Sequence, residues 1–85
     1  SAPTVVISPN PASDEAVFDL KNFVPGRYHM VIFDETGRLV FEKTLQINDR
    51  HTERMSLSRH PAGRYFVVLF DENDRALSRT GLVKK

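Results

Sequence analysis

The sequence predicts an all-β domain, an antiparallel two-sheet sandwich of about seven strands. Apolar residues come in short runs separated by turn residues, and no window of about 11 residues keeps a helical spacing. The runs are rich in Val, Ile, Phe, Tyr and Leu, side chains that fit a pleated, half-buried surface. Seven such runs recur at roughly 10-residue spacing, the pattern of a sandwich.

The first run is Thr4 to Ser8. Pro9-Asn10-Pro11-Ala12-Ser13-Asp14 breaks it, and its two prolines remove two ladder donors, so this segment is no central strand. Glu15 to Leu20 is the second run, with Ala16, Phe18 and Leu20 on one face. Lys21 to Gly26 reads as a connection to the third run, Arg27 to Asp34. Glu35-Thr36-Gly37 reads as a hairpin loop in which Gly37 supplies the positive φ, leading to the fourth run, Arg38 to Leu45. A polar stretch, Gln46 to His51, precedes the fifth run, Thr52 to Leu57. Arg64 to Asp71 is the sixth, and Arg75 to Val83 the seventh and least apolar.

An internal repeat supports two similar hairpins. Gly26-Arg27-Tyr28-His29-Met30-Val31-Ile32-Phe33-Asp34-Glu35 is echoed by Gly63-Arg64-Tyr65-Phe66-Val67-Val68-Leu69-Phe70-Asp71-Glu72, and Arg38 by Arg75. Period-2 alternation assigns Tyr28, Met30 and Ile32, with Tyr65, Val67 and Leu69, to the core. Phe33, Phe66 and Phe70 then point the other way, and Phe66, in mid-strand, calls for cover or a contact patch. That two-sided strand would suit a homodimer.

Eighty-five residues make one domain with room for one core and little else. At ordinary values per residue its stability should be about 4–13 kcal/mol. The absence of cysteine excludes disulfides, iron–sulfur clusters and cysteine-ligated zinc. Twelve basic and eleven acidic residues nearly cancel, which gives no long-range field favouring nucleic acid or an anionic membrane. No apolar run reaches the roughly 18 residues that span a bilayer, and no segment reads as a secretory signal peptide. Starting at Ser1-Ala2 without Met, the chain reads as a piece of something longer, with residues 1–4 a residual linker or a processing scar.

Groups for catalysis do not converge. His29, His51 and His60 are not spaced as metal ligands, there is no G-x-S-x-G elbow and no glycine-rich phosphate loop. The expectation is therefore no catalytic site, no metal and no cofactor. Asp71-Glu72-Asn73-Asp74 invites a calcium reading, but no distal bidentate Glu follows, and a hairpin turn is the better reading. After Asp74 come Arg75, Arg79, Lys84 and Lys85 with no acidic side chain. Edge lysines discourage aggregation, so this basic last strand is either a protected edge or a docking tag.

Pro9-Asn10-Pro11, a D-x-x-G-R turn at Asp34 to Arg38, Pro61-Ala62-Gly63-Arg64-Tyr65, and Gly81-Leu82-Val83-Lys84-Lys85 occur in one order. In that order and spacing the chain, from about Val6 to Lys85, resembles the type A C-terminal sorting domain of the type IX (Por) secretion system of Bacteroidetes. The resemblance implies an immunoglobulin-like sandwich that targets an upstream cargo from the periplasm through the outer-membrane translocon. Cargo then reaches the cell surface or is released, and a sortase-like peptidase usually removes the domain. The implied partners are the translocon, that peptidase and the cargo domain of the same chain. The family motifs fall on Pro9, Asn10 and Pro11, on Pro61, Ala62, Gly63 and Tyr65, and on Gly81, Leu82, Val83, Lys84 and Lys85 as the docking determinant. His60 stands where the family often has Leu, and Asn73-Asp74 replaces the glycine of the second D-x-x-G turn. A weakly held last strand could be offered to a receptor's sheet edge. The alternative is an immunoglobulin-like or fibronectin-like accessory module of a secreted protein. A chain ending at Lys85 favours sorting, because a sorting domain must close its reading frame.

Overall fold

The computed structural model describes residues 2–85 and shows an all-β, antiparallel sheet that curls around one core, with no helix among the described residues. Ser1, part of the expected linker or scar, lies outside the described residues. The strands are β1 (Thr4–Ser8), β2 (Glu15–Asp34), β3 (Leu39–Ser56), β4 (Gly63–Phe70) and β5 (Ala76–Lys84). β3 pairs along almost the whole of one edge of β2, from Ala16 opposite Met55 to Phe33 opposite Leu39. The other edge of β2 is shared. β1 takes its first half, with Val6 opposite Asp19, and β4 takes its second, with Met30 opposite Leu69. β5 then pairs with β4.

The expectation of seven strands is corrected to five, because the second and third runs form one strand, as do the fourth and fifth. Lys21 to Gly26 and Gln46 to His51, read as connections, are bends inside continuous strands. Residues with positive φ sit in both, Asn22 at 65° and Asp49 at 72°. Bends of this kind use the same Asn, Asp and Gly residues as turns. Register shifts fall between Leu20 and Phe23 and again between Phe23 and Gly26. A one-residue slip flips the inward face and a second slip restores it. Leu20, Phe23 and Tyr28 are thereby all buried despite their mixed parity. The bend in β3 shows in its side chains. Lys43 Nζ donates to Glu53 Oε2 at 2.5 Å, although ten extended residues would span roughly 33 Å.

The core contains every residue that alternation assigned to it. Tyr28, Met30, Ile32, Tyr65, Val67 and Leu69 are buried, and they pack with Phe18, Leu20, Ile47, Leu57 and Leu82. Each such side chain contributes roughly 1.5–3 kcal/mol. On the outer face Phe66 stays 40 % exposed, opposite Phe33 on one side and Gly81 on the other.

The internal repeat is reproduced in the tyrosine bonds and in the bonds from turn amides to the aspartates. Tyr28 Oη donates to the Val24 carbonyl, and Tyr65 Oη to the Pro61 carbonyl. Asp34 Oδ1 accepts from the amides of Thr36 and Arg38, and Asp71 Oδ1 from those of Asn73 and Arg75. Gly37 turns with φ 87°, and at the equivalent place Asp74 does so with φ 62°. Aspartate tolerates this region better than most residues, which explains how the second turn dispenses with glycine. Its carboxylate at Asp71 is engaged by backbone donors of the turn itself, in keeping with a hairpin rather than a calcium loop.

Candidate functional site

The segments singled out at Pro9–Pro11, Pro61–Tyr65 and Gly81–Lys85 meet at one end of β5. β4 supplies one edge of the tail, with Phe66 opposite Gly81, Tyr65 opposite Leu82, Arg64 opposite Val83 and Gly63 opposite Lys84. The second edge is taken by the segment after β1. Asn10 Nδ2 donates to the Gly81 carbonyl at 3.0 Å, and Val83 N donates to Asn10 Oδ1 at 3.0 Å. Ala12 N donates to the Val83 carbonyl, and Lys85 N to the Ala12 carbonyl, both at 2.8 Å. Ala12 is fully buried and forms a parallel bridge with Lys84.

The third segment holds the tail from below. Tyr65 fixes its own loop through the bond to Pro61, and the ring of His60 meets Tyr65 edge-on at 6.2 Å. His60 also presents its carbonyl to Lys84 Nζ at 2.6 Å. The His60 side chain thus contributes its ring to the packing on Tyr65, while the bond to Lys84 uses only its backbone carbonyl. Burial first, and then the negative charge of Asp34, hold the Tyr65 phenol above its ordinary pKa. It remains a neutral donor to Pro61 at physiological pH.

The tail is therefore not the loosely held strand expected of the least apolar run. Leu82 is 1 % exposed and packs in the core. Both edges of the tail are paired between residues 81 and 85, so the backbone of this stretch is closed to a further strand. What faces outward is the bare backbone of Gly81, the 40 %-exposed Val83 and the exposed Lys85. Nothing lies within 4 Å of a Cβ placed at Gly81, so that position is an open notch beside Phe66. Sequence reasoning named Asn10 only as part of a motif and missed its bonds to the tail. Two flanking prolines were the available signal. A segment that cannot supply ladder donors from its backbone must use side chains to pair.

Next to this site lies a cleft of about 530 Å³ lined by Asp34, Glu35, Arg38, Arg59, His60 and Tyr65, among others. It brings together side chains of both signs. Elsewhere His29 pairs with Glu42 and His51 with Glu53. Burial raises the Glu53 carboxyl, but its bonds and charge contacts with Lys43 and His51 outweigh that and leave it below the usual range. Among the described residues no cluster of His, Cys, Asp and Glu is placed to hold a metal ion.

A small all-β body whose marked segments converge on a terminal strand defines a recognition module. The family of secretion system C-terminal sorting domains matches residues 6–84, and the chain belongs to that family. The family provides the sorting signal of type IX secretion and is not a family of enzymes. The domain accordingly directs the protein that carries it to export, at the cell surface or beyond, through interaction with the type IX machinery. No curated protein matches the chain.

Proposed function

We propose that the domain carries its cargo from the periplasm to the translocon by docking through Gly81, Leu82, Val83, Lys84 and Lys85, and that a sortase-like peptidase then removes it. The observation that supports this is convergence. Segments more than seventy residues apart in sequence, around Asn10 and around Gly81, are bonded to each other at this strand. Within it the roles divide. Leu82 anchors the strand in the core, Val83 and Lys85 face the receptor, and Lys84 is tied to His60. The curled sheet is read as an immunoglobulin-like sandwich whose two corners are crossed by unbroken strands, the bends of β2 and β3.

A reporter with a signal peptide, fused to residues 1–85 and expressed in a type IX-secreting host, should reach the cell surface. Deleting Gly81–Lys85 should leave it in the periplasm. Normal surface display of the truncated fusion would refute this docking site. The exposed Phe66 beside Phe33 supports a homodimer as a second property. A monomeric mass in light scattering at high concentration would rule that out.

A further inference from the structure

Pro9 and Pro11 have no amide hydrogen, so the segment that borders the tail cannot form an ordinary strand pair. The Asn10 carboxamide fills the gap. Its Nδ2 donor and Oδ1 acceptor engage the Gly81 carbonyl and the Val83 amide, the two groups that one residue of a neighbouring strand would engage. Ala12 continues the pattern with its own backbone, reaching Val83 and Lys85. The Asn10 side chain and the Ala12 backbone together close an edge that would otherwise be open to another chain.

We propose that Asn10 is the positioning residue of the docking strand. It locks Gly81–Lys85 in one register, with Leu82 inward and Val83 and Lys85 outward. The receptor then reads those side chains on a folded strand instead of adding a strand of its own. This rests on the reading of Gly81–Lys85 as the docking site. It also fixes the chemistry of the partner. An apolar seat must receive Val83 and enter the notch over Gly81, and an acidic group must meet Lys85. Recognition by strand addition would need the Asn10 bonds to break first, and would be helped by removing them. The two modes therefore predict opposite effects of the same substitution.

The test uses Asn10→Ala and Asn10→Asp in the full 85-residue chain and in the cargo fusion. Aspartate keeps the acceptor for Val83 but loses the donor to Gly81. Amide exchange reports the lock. A typical net hydrogen bond is worth about fivefold in an opening equilibrium, so losing two should speed exchange at Val83 by roughly 30-fold. Exchange at core Val67 should stay unchanged. Asn10→Asp should fall between the two. Surface display should follow the same order, highest for the parent, then aspartate, then alanine. Should Asn10→Ala fail to fold, the aspartate variant alone decides, by reduced display with Val67 still protected. Unchanged exchange at Val83, or display that is equal or improved in the folded variants, overturns the proposal. The Gly81–Lys85 deletion separates the two readings. If the deletion is displayed normally, the docking site and the lock both fall. If the deletion is blocked while Asn10→Ala is displayed normally, only the lock falls.

Discussion

Truncating two adjacent tail residues should have very different costs. Leu82→Ala removes a side chain that is 1 % exposed, in a core of Met30, Ile32, Val67 and Leu69. Losses for buried Leu→Ala run about 2–5 kcal/mol, depending on how far the site can collapse. Against a total of about 4–13 kcal/mol, that is a large share for so small a domain. At about 4–8 °C per kcal/mol, a loss near 3 kcal/mol lowers the melting midpoint by roughly 12–24 °C. Val83→Ala removes two methyl groups from a side chain 40 % exposed on the outer face, and should cost less than about 1 kcal/mol. Equilibrium urea unfolding of both variants, with slopes compared to the parent, measures the difference. If the two variants lose equal stability, or if Leu82→Ala loses less than about 1 kcal/mol, the inward–outward assignment of the tail is wrong. The same pair then sorts export defects. Leu82→Ala should impair display in step with its lowered melting midpoint, and Val83→Asp should impair it in a domain that still melts near the parent's midpoint.

Two titrations should also leave their mark. The Tyr28 phenol is held above its ordinary pKa by burial and then by Asp71 and Glu72, as Tyr65 is by burial and then by Asp34. Both phenols are neutral in either state below pH about 10, so their contribution is complete there. It declines as the pH rises from the unfolded value through the folded one. A Tyr28→Phe/Tyr65→Phe variant should lose about 1 kcal/mol per hydroxyl at neutral pH and show a shallower alkaline fall. An equally steep fall in that variant would refute this assignment. At the acid end, Asp34 is held below its ordinary value by the Thr36 hydroxyl first and by the Arg38 amide. Its contribution is complete above the unfolded carboxyl value of about 3.9 and disappears as the pH falls through the lower folded value. Asp34→Asn should flatten that part of the acid limb in a pH series of thermal melts, and an unaltered limb would count against the turn's role.

Much of the fold is legible in the residues because β-structure reports its buried face by alternation. Tyr28, Met30 and Ile32 and their counterparts Tyr65, Val67 and Leu69 are placed by period alone, and the Gly37 and Asp74 turns by local backbone preference. The continuity of β2 and β3 is not legible. Asn22 and Asp49 signal positive φ, but whether the chain then reverses or merely bends depends on pairing with a strand distant in sequence. The site divides in the same way. Its three segments were visible as words. That the last strand is closed on its second edge depends on Asn10 reaching across to Gly81. The prolines flanking Asn10 signal that its side chain must do the pairing, but no local pattern names the partner.

The two matched hairpins have a geometric consequence. Tyr28 answers to Tyr65 at a spacing of 37 residues, and at that same spacing Val31 answers to Val68. Val31 and Val68 are also directly opposed in the antiparallel pair of β2 and β4, with Met30–Leu69 and Ile32–Val67 exchanging places around them. A local twofold axis therefore runs through the sheet between these valines, as if one ancestral hairpin had paired with its twin before the two became a single polypeptide. Under that rotation Leu82 corresponds to Leu45, and both are buried. The pairing stays equivalent for two residues more, Arg27–Gln46 answering to Arg64–Val83 and Gly26–Ile47 to Gly63–Lys84, and there the likeness stops. β3 bends and runs on to Ser56, while β5 ends under Asn10 and Ala12. The proposed docking strand lies where the two halves cease to be equivalent, so the domain presents one such end to a receptor and not two.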